Sequence, residues 1–415
     1  MLQRSSLLVH KLPNHWFITP SALRHSSSYS TEWSKPFEQR PAMPQLHQEA
    51  VAPAQPTHHF GIHSQKSYRP AQTDDLDAAT SSFKWSQLLS AKGMERSDIE
   101  HAIDVATRIG EESRAAGPWR RLGQPRQLDI LNGRMLANLF FEPSTRTASS
   151  FATAMTRMGG SYLNLNVATS SASKGESLSD TVRVMSEYAD VIAMRHPSAT
   201  VYEDELGGGL LDTIPILNAG NGAEEHPTQA LLDLLCMKTE LGVPSLDGLS
   251  VTLVGDLKHG RTVHSLATML AKFEGVTLNL VAPSQLRMPD KWIDTIAESG
   301  SATTQINQLD VRPHSAELGT GDHMGFVDKS DVIYVTRVQQ ERFESKEAYD
   351  AVKRSFVLNA RDLEHSKAIV MHPLPRVNEI HPSVDALPNA KYFEQVGYGC
   401  VMRSALLGLA LGAEM

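Results

Sequence analysis

Two cysteines, Cys236 and Cys400, are all that the 415 residues contain. So few exclude a disulfide-built scaffold, and neither has a redox or metal-ligand spacing around it, so a reducing compartment is expected. Cys236 falls inside the apolar helical pattern 230–237 and reads as a reduced core residue. Long hydrophobic runs are missing as well, and no uninterrupted stretch of about twenty apolar residues is available to span a bilayer. Positive charge is not in excess: 39 Lys and Arg against 47 Asp and Glu leave a formal charge of −8. That balance argues against a general nucleic-acid binder or a membrane-surface binder. Any anion must therefore be held by a local cluster of arginines. The segment Val254-Gly-Asp256-Leu-Lys-His-Gly260-Arg resembles a nucleotide-binding turn but lacks the G-x-G-x-x-G spacing, which argues against a dinucleotide. No repeat of solenoid period occurs. No metal constellation is found, His58-His59 standing in the N-terminal region, and no cofactor is expected.

Residues 1–30 lack any acidic residue while carrying Arg4, Lys11, Arg24 and many serines. The opening resembles an organelle transit peptide, mitochondrial rather than plastid, with a processing neighbourhood near Arg24. The alternative is an untargeted disordered extension, or a linker, in a cytoplasmic protein, since 41–80 is rich in Pro, Gln, His and Ala without periodicity. Globular sequence begins near Phe83. From there short apolar runs alternate with helical patterns, which predicts an α/β fold built on parallel sheets. The predicted strands are 135–141, 191–194, 214–217, 251–255, 277–281, 332–336 and 368–371.

The densest chemistry lies at 140–151. An apolar strand is followed by Ser144, Thr145, Arg146 and Thr147, after which Ala148, Phe151, Met155 and Met158 recur at helical spacing up to Gly159-Gly160. Unpaired N–H groups, the positive end of a helix, three hydroxyls and a guanidinium suit a dianion. The alternative is a plain Ser/Thr N-cap with Arg146 facing solvent. Other predicted strand ends carry similar groups: Arg195-His-Pro, His226-Pro-Thr-Gln229, Arg261, Arg337-Val-Gln339 and His372-Pro-Leu374-Pro375-Arg. Ligands of doubly wound folds bind at the carboxyl ends of strands, so together these describe a site for a multiply anionic substrate. Singly, each has a plainer alternative. Pro227 suits a first helical position, Arg337 and Arg342 could be rim charges, and Lys174-Gly-Glu lies in a polar stretch that reads as a loop.

The order Phe-Glu-Pro-Ser144-Thr-Arg-Thr147, Ser170-x3-Lys174-Gly-Glu, Met-Arg195-His-Pro, His226-Pro-Thr-Gln229-Ala-Leu, Gly-Asp-Leu-Lys-His-Gly-Arg261-Thr-Val-His-Ser and Met-His-Pro-Leu374-Pro375-Arg-Val-Asn-Glu resembles the aspartate carbamoyltransferase family, especially its eukaryotic multienzyme form. The resemblance runs from about residue 83 to the C-terminus. It implies two doubly wound domains joined by interdomain helices. Residues 83–233 would bind carbamoyl phosphate, completed by a C-terminal helix at 396–415, and 234–395 would bind aspartate. It implies transfer of the carbamoyl group of carbamoyl phosphate to L-aspartate, toward pyrimidines. Ser144, Thr145, Arg146, Thr147 and Arg195 would hold the phosphate. Thr147 and His226 would polarise the carbonyl, and Gln229 with the Leu374-Pro375 carbonyls would take the amide. Lys174, Arg261, Arg337 and Gln339 would bind aspartate. Ser170 and Lys174 would reach in from the adjacent subunit of a homotrimer, so that Arg146, Thr147, Lys174 and His226 form the catalytic set. Association with other pyrimidine-pathway enzymes is a further implication.

Three positions depart from the family pattern: Ala148 where arginine is common, Ser173 in place of a second lysine, and Gln340 in place of a lysine. The stretch 115–127 looks like an insertion that lengthens a surface connection. The nearest rival, ornithine carbamoyltransferase, would carry cysteine where Pro373 stands and needs no cation like Arg337. A catalytically silent relative kept for assembly would have lost ligands, and none is lost here.

Overall fold

The computed structural model describes residues 83–114, 128–166, 175–207, 209–310, 327–353 and 356–414. The extension 1–82, the insertion-like stretch 115–127, and both Ser170 and Lys174 lie outside them. The described chain builds two five-stranded sheets, every pairing parallel, within one compact unit.

The first sheet is assembled from β1 (Gln87–Leu88), α1 (Arg96–Arg114), β2 (Met135–Phe140), α2 (Thr145–Arg157), β3 (Ser161–Asn166), α3 (Leu178–Ser186), β4 (Val191–His196), α4 (Val201–Asp204) and β5 (Ile216–Asn221). Its order is β1-β5-β4-β2-β3. Helix α5 (Pro227–Leu241) follows and runs unbroken through 233–234. The second sheet comprises β6 (Ser250–Val254), α6 (Arg261–Leu270), β7 (Thr277–Ala282), α7 (Asp290–Ser299), β8 (Gln305–Asp310), β9 (Val332–Val335), α8 (Lys346–Val352) and β10 (Ile369–Met371), in the order β10-β9-β6-β7-β8. The last helix, α9 (Tyr392–Ala410), returns to pack on α1, α2 and α5.

Central strands such as Leu136–Leu139, 191–194 and 332–335 are fully buried, because helices cover both faces of a parallel sheet. This is why they read as continuous apolar runs. Three strands, β1, β3 and β8, escape such a reading. All are sheet edges: β1 is only two residues long, and the sequences SYLNLN of β3 and QINQLD of β8 mix polar with apolar residues. Strand β5 starts two residues later than the apolar run suggests and extends through Asn218 and Asn221, both buried. Asn218 stays in the strand because its polar groups are satisfied. Its Nδ2 donates to the Leu89 carbonyl at 2.7 Å and its Oδ1 accepts from Gly220 N at 2.7 Å.

The strand orders place two topological switch points. In the first sheet the chain moves out from β2 to β3 and returns to β4 on the other side of β2. In the second it moves from β6 through β7 to β8 and returns to β9 on the other side of β6. The crevice beyond the carboxyl ends at such points is where open α/β sheets take ligands. At the second point the chain passes so close to β9 that a Cβ on Gly255 would collide with the Thr336 carbonyl oxygen, and Gly255 has φ +124. Only glycine fits that crossing.

Candidate active site

Strand β2 hands over to α2 through Glu142, Pro143 and Ser144. Ser144 occupies the N-cap position, yet its hydroxyl caps nothing; it accepts instead from Arg195 Nη1 at 3.1 Å. The first-turn N–H groups are thus left without a side-chain cap beside a guanidinium that ends β4. Of the two readings of this turn, the plain cap is the one the geometry rejects. Arg146 donates through Nη2 to the Leu374 carbonyl at 2.8 Å, tying α2 to the turn after β10. Partial burial lowers the Arg146 pKa, and the nearby charges of Arg195 and Arg337 lower it further. Three cations face one space.

Glu142 partly balances them. Its Oε2 accepts from Arg195 Nε at 3.1 Å and from Arg261 Nη1 at 3.3 Å, while Arg261 Nη1 also donates to the Gly222 carbonyl at 2.8 Å. Burial nonetheless pulls the Arg195 pKa down, with Glu142 opposing. Arg337, just beyond β9, is ion-paired with Glu341 in the following turn, and that bond raises its pKa. Gln339 is fixed from two sides: its Nε2 donates to the His259 carbonyl at 2.9 Å and its backbone N to Asp256 Oδ2 at 3.3 Å.

His226 is the N-cap residue of α5, with Pro227 at the first helical position. Its backbone N donates to Ser265 Oγ at 2.9 Å and its Nδ1 lies 3.4 Å from the Thr228 hydroxyl, so Nε2 is the nitrogen left for the cleft. The plain role at a helix start and a place in the site therefore coexist. Burial, then the charges of Arg403 and Arg195, hold its pKa well below the ordinary 6.5. The folded value lies below the unfolded one, so the neutral ring contributes stability above the ordinary value that is lost as pH falls through the folded one. Ring-nitrogen NMR is expected to show the His226 ring still neutral where an ordinary histidine is half protonated, at pH 6.5. A midpoint at its ordinary value would contradict this environment.

One turn after His226, Gln229 donates through Nε2 to Asp233 Oδ1 at 2.9 Å. Beyond β10, Leu374 has φ +53 and precedes a cis proline peptide. Its N donates to His372 Nδ1 at 2.8 Å, which places the ring proton on Nε2, 2.7 Å from Glu379 Oε1.

These groups meet. Every sequence candidate that falls among the described residues lines one cleft of about 420 Å³, from Ser144 at one end to Gln339 at the other. Five arginines line it (146, 195, 261, 337 and 403) against one lining carboxylate, Glu341. Among the described residues no group of three or more His, Cys, Asp or Glu is arranged to hold a metal ion. Sequence reading did not select Glu142, Asp233, Glu341, Gln395 or Arg403. Arg403 is buried in α9 and donates through Nη1 to Ser150 Oγ at 2.9 Å. The available signals were a charge inside an apolar helical run, for Asp233 and Arg403, and an acid adjoining an anion turn, for Glu142.

The chain resembles known proteins over this whole region. Residues 86–239 match the carbamoyl-phosphate-binding domain of aspartate/ornithine carbamoyltransferases, and residues 247–410 match their aspartate/ornithine-binding domain. An aspartate carbamoyltransferase catalytic subunit from Thermococcus kodakarensis is 44% identical over 335 residues, spanning 80% of this chain and 98% of the relative. The multifunctional protein URA2 of Saccharomyces cerevisiae is 39% identical over 351 residues, 83% of this chain but 14% of that longer protein. Among solved structures, aspartate transcarbamoylase from Trypanosoma cruzi in complex with carbamoyl phosphate and aspartate aligns with a TM-score of 0.68 at 41% identity. It covers 78% of this chain and 96% of that one.

Proposed function

The chain belongs to the aspartate/ornithine carbamoyltransferase family, and from that membership and the cleft geometry we propose how its residues divide the reaction it carries out. That reaction transfers the carbamoyl group of carbamoyl phosphate to the amine of L-aspartate, giving N-carbamoyl-L-aspartate and phosphate in pyrimidine synthesis. The observation carrying the division is that one cleft is lined both by Arg146 and Arg195, which follow or end strands of the first sheet, and by Arg261 and Arg337, which follow strands of the second.

Ser144, Thr145, Arg146 and Thr147, with Arg195, hold the phosphate against the uncapped start of α2. Thr147 and His226 donate to the carbonyl oxygen. A neutral imidazole suits this: it offers an N–H without adding a charge beside five guanidiniums. Gln229 and the Leu374 and Pro375 carbonyls take the NH2 group. Arg261 binds the α-carboxylate of aspartate, and Arg337 with Gln339 its side-chain carboxylate. The amine attacks the carbonyl carbon, the C–O bond to phosphate breaks, and the departing phosphate accepts the amine proton. Orientation and fixed positive charge supply the rate, and no covalent intermediate is needed.

A site completed by Ser170 and Lys174 of an adjacent subunit, in a homotrimer, belongs to the same proposal. What supports it is exposed apolar surface flanking that segment: Tyr162 and Leu163 on edge strand β3, Val184 on α3, and Tyr188 just after it. The match to part of a multifunctional protein supports association with further enzymes of the pathway. Mixing subunits tests the shared site. Arg146→Ala and Lys174→Ala proteins are each inactive alone. Dissociated and reassembled at equal amounts, they regain roughly a quarter of wild-type activity, because that fraction of sites in a closed ring draws both intact residues. No recovery in confirmed hybrids would overturn the shared site.

A further inference from the structure

Behind the cleft lies a carboxylate that the reaction scheme does not use. Asp233 is fully buried in α5 and receives three side-chain donors: Tyr334 OH on Oδ2 at 2.7 Å, and both Gln229 Nε2, at 2.9 Å, and Gln395 Nε2, at 2.6 Å, on Oδ1. These donors come from β9 of the second sheet, from α5 itself and from α9. We infer that Asp233 is a positioning residue for substrate choice: by holding the Gln229 amide nitrogen it turns the Gln229 carbonyl oxygen toward the cleft, so that the site selects a group bearing an N–H donor on the transferred carbon. The inference rests on the reading of Gln229 as the ligand of the carbamoyl NH2.

The chemistry of the partners fixes the polarity. Both carboxyl oxygens accept, Oδ2 from Tyr334 OH and Oδ1 from the two glutamines, so the amide face that Gln229 turns to Asp233 is the NH2 and its oxygen is left for the other side. Gln395 obeys the same logic independently. With its Nε2 on Asp233, its Oε1 accepts from His372 N at 2.9 Å. From there the chain of hydrogen bonds continues through His372 Nδ1 to Leu374 N, whose residue supplies another carbonyl proposed for the same NH2. One buried anion thus orients both acceptors. Burial pushes the Asp233 carboxyl up to about 7 against the pull of its donors, so keeping a charge here opposes folding.

Acetyl phosphate, which carries a methyl in place of the NH2, is the discriminating probe. With saturating aspartate, the ratio of kcat/KM for carbamoyl phosphate to that for acetyl phosphate is measured in wild type, Asp233→Ala, Asp233→Asn, Gln229→Ala and the double alanine variant. Removing the acceptor in Asp233→Ala is expected to lower the ratio at least about tenfold, as when a site loses a hydrogen bond that reads its substrate. Asp233→Asn keeps an oxygen for Gln229 and should hold the ratio within about threefold. The double variant should lose no more than Gln229→Ala alone. An unchanged ratio in Asp233→Ala, beside a fallen one in Gln229→Ala, overturns the role of Asp233 while leaving that of Gln229. Ratios unchanged in both overturn the reading of Gln229 itself, and the inference with it. If Asp233→Ala does not fold, a crystal structure of the wild-type protein with phosphonacetamide decides the point. Gln229 bridging Asp233 and the ligand amide sustains the inference, and Gln229 turned away from Asp233 refutes it.

Discussion

Replacing Arg146 by alanine is expected to lower kcat about a thousandfold, the scale on which one preorganised donor to a developing charge acts. The guanidinium stands at the uncapped start of α2, where the leaving phosphate would gather charge, and it also bonds the Leu374 carbonyl 2.8 Å away. Its loss removes charge stabilisation and frees the turn that carries an acceptor for the carbamoyl NH2. Lysine should not restore the rate, because a point charge cannot hold phosphate oxygen and carbonyl together as a fork does. Stability should move the other way. Burial, then the charges of Arg195 and Arg337, depress the Arg146 pKa, so its charge is held in the cleft at a cost before any substrate enters, and the alanine protein should melt at the same temperature or higher. Steady-state kinetics with a thermal scan check both halves. A loss in kcat below tenfold, or an equal collapse of melting temperature, would remove Arg146 from the reaction.

Arg337→Ala should act on the other substrate. Losing a charge-assisted fork to a carboxylate typically costs about 2–5 kcal/mol, so kcat/KM for aspartate is expected to fall on the order of a hundred- to a thousandfold. Carbamoyl-phosphate affinity, measured by calorimetry without aspartate, should change by no more than about threefold, since removing one remote cation only weakens a screened field. Glu341, left without its partner, would then add repulsion against the incoming carboxylate. The ion pair itself is half-exposed and contributes little to folding, so the variant should be as stable as wild type. Equal losses for both substrates would erase the division between the phosphate end and the aspartate end.

Much of this was readable before any coordinates. The central strands announce themselves because a parallel sheet buries both faces, and the turn after β2 announces itself by hydroxyls and arginine packed between a strand and a helix. Strands β3 and β8 stay hidden because their mixture of polar and apolar residues resembles a polar connection, and β1 because two residues carry no pattern. Ser144 satisfies every local rule for a cap; only the position of Arg195, 51 residues away, shows that its hydroxyl points elsewhere. Asp233 and Gln395 are separated by 162 residues, and no local pattern announces their contact. What local sequence can show is the anomaly, an aspartate in the midst of Leu231, Leu232, Leu234 and Leu235. Its explanation needs the fold.

Helix α9 gives the protein a timetable. It is the last described helix to be synthesised, yet it packs on α1, among the first, and brings Gln395 and Arg403 to the cleft. Both sheets are made before α9, so apolar flanks of α2 and α5 wait uncovered until it follows. Substrate competence therefore appears late and all at once, and the nascent chain is most open to misassembly or chaperone capture in the interval before α9 joins α1.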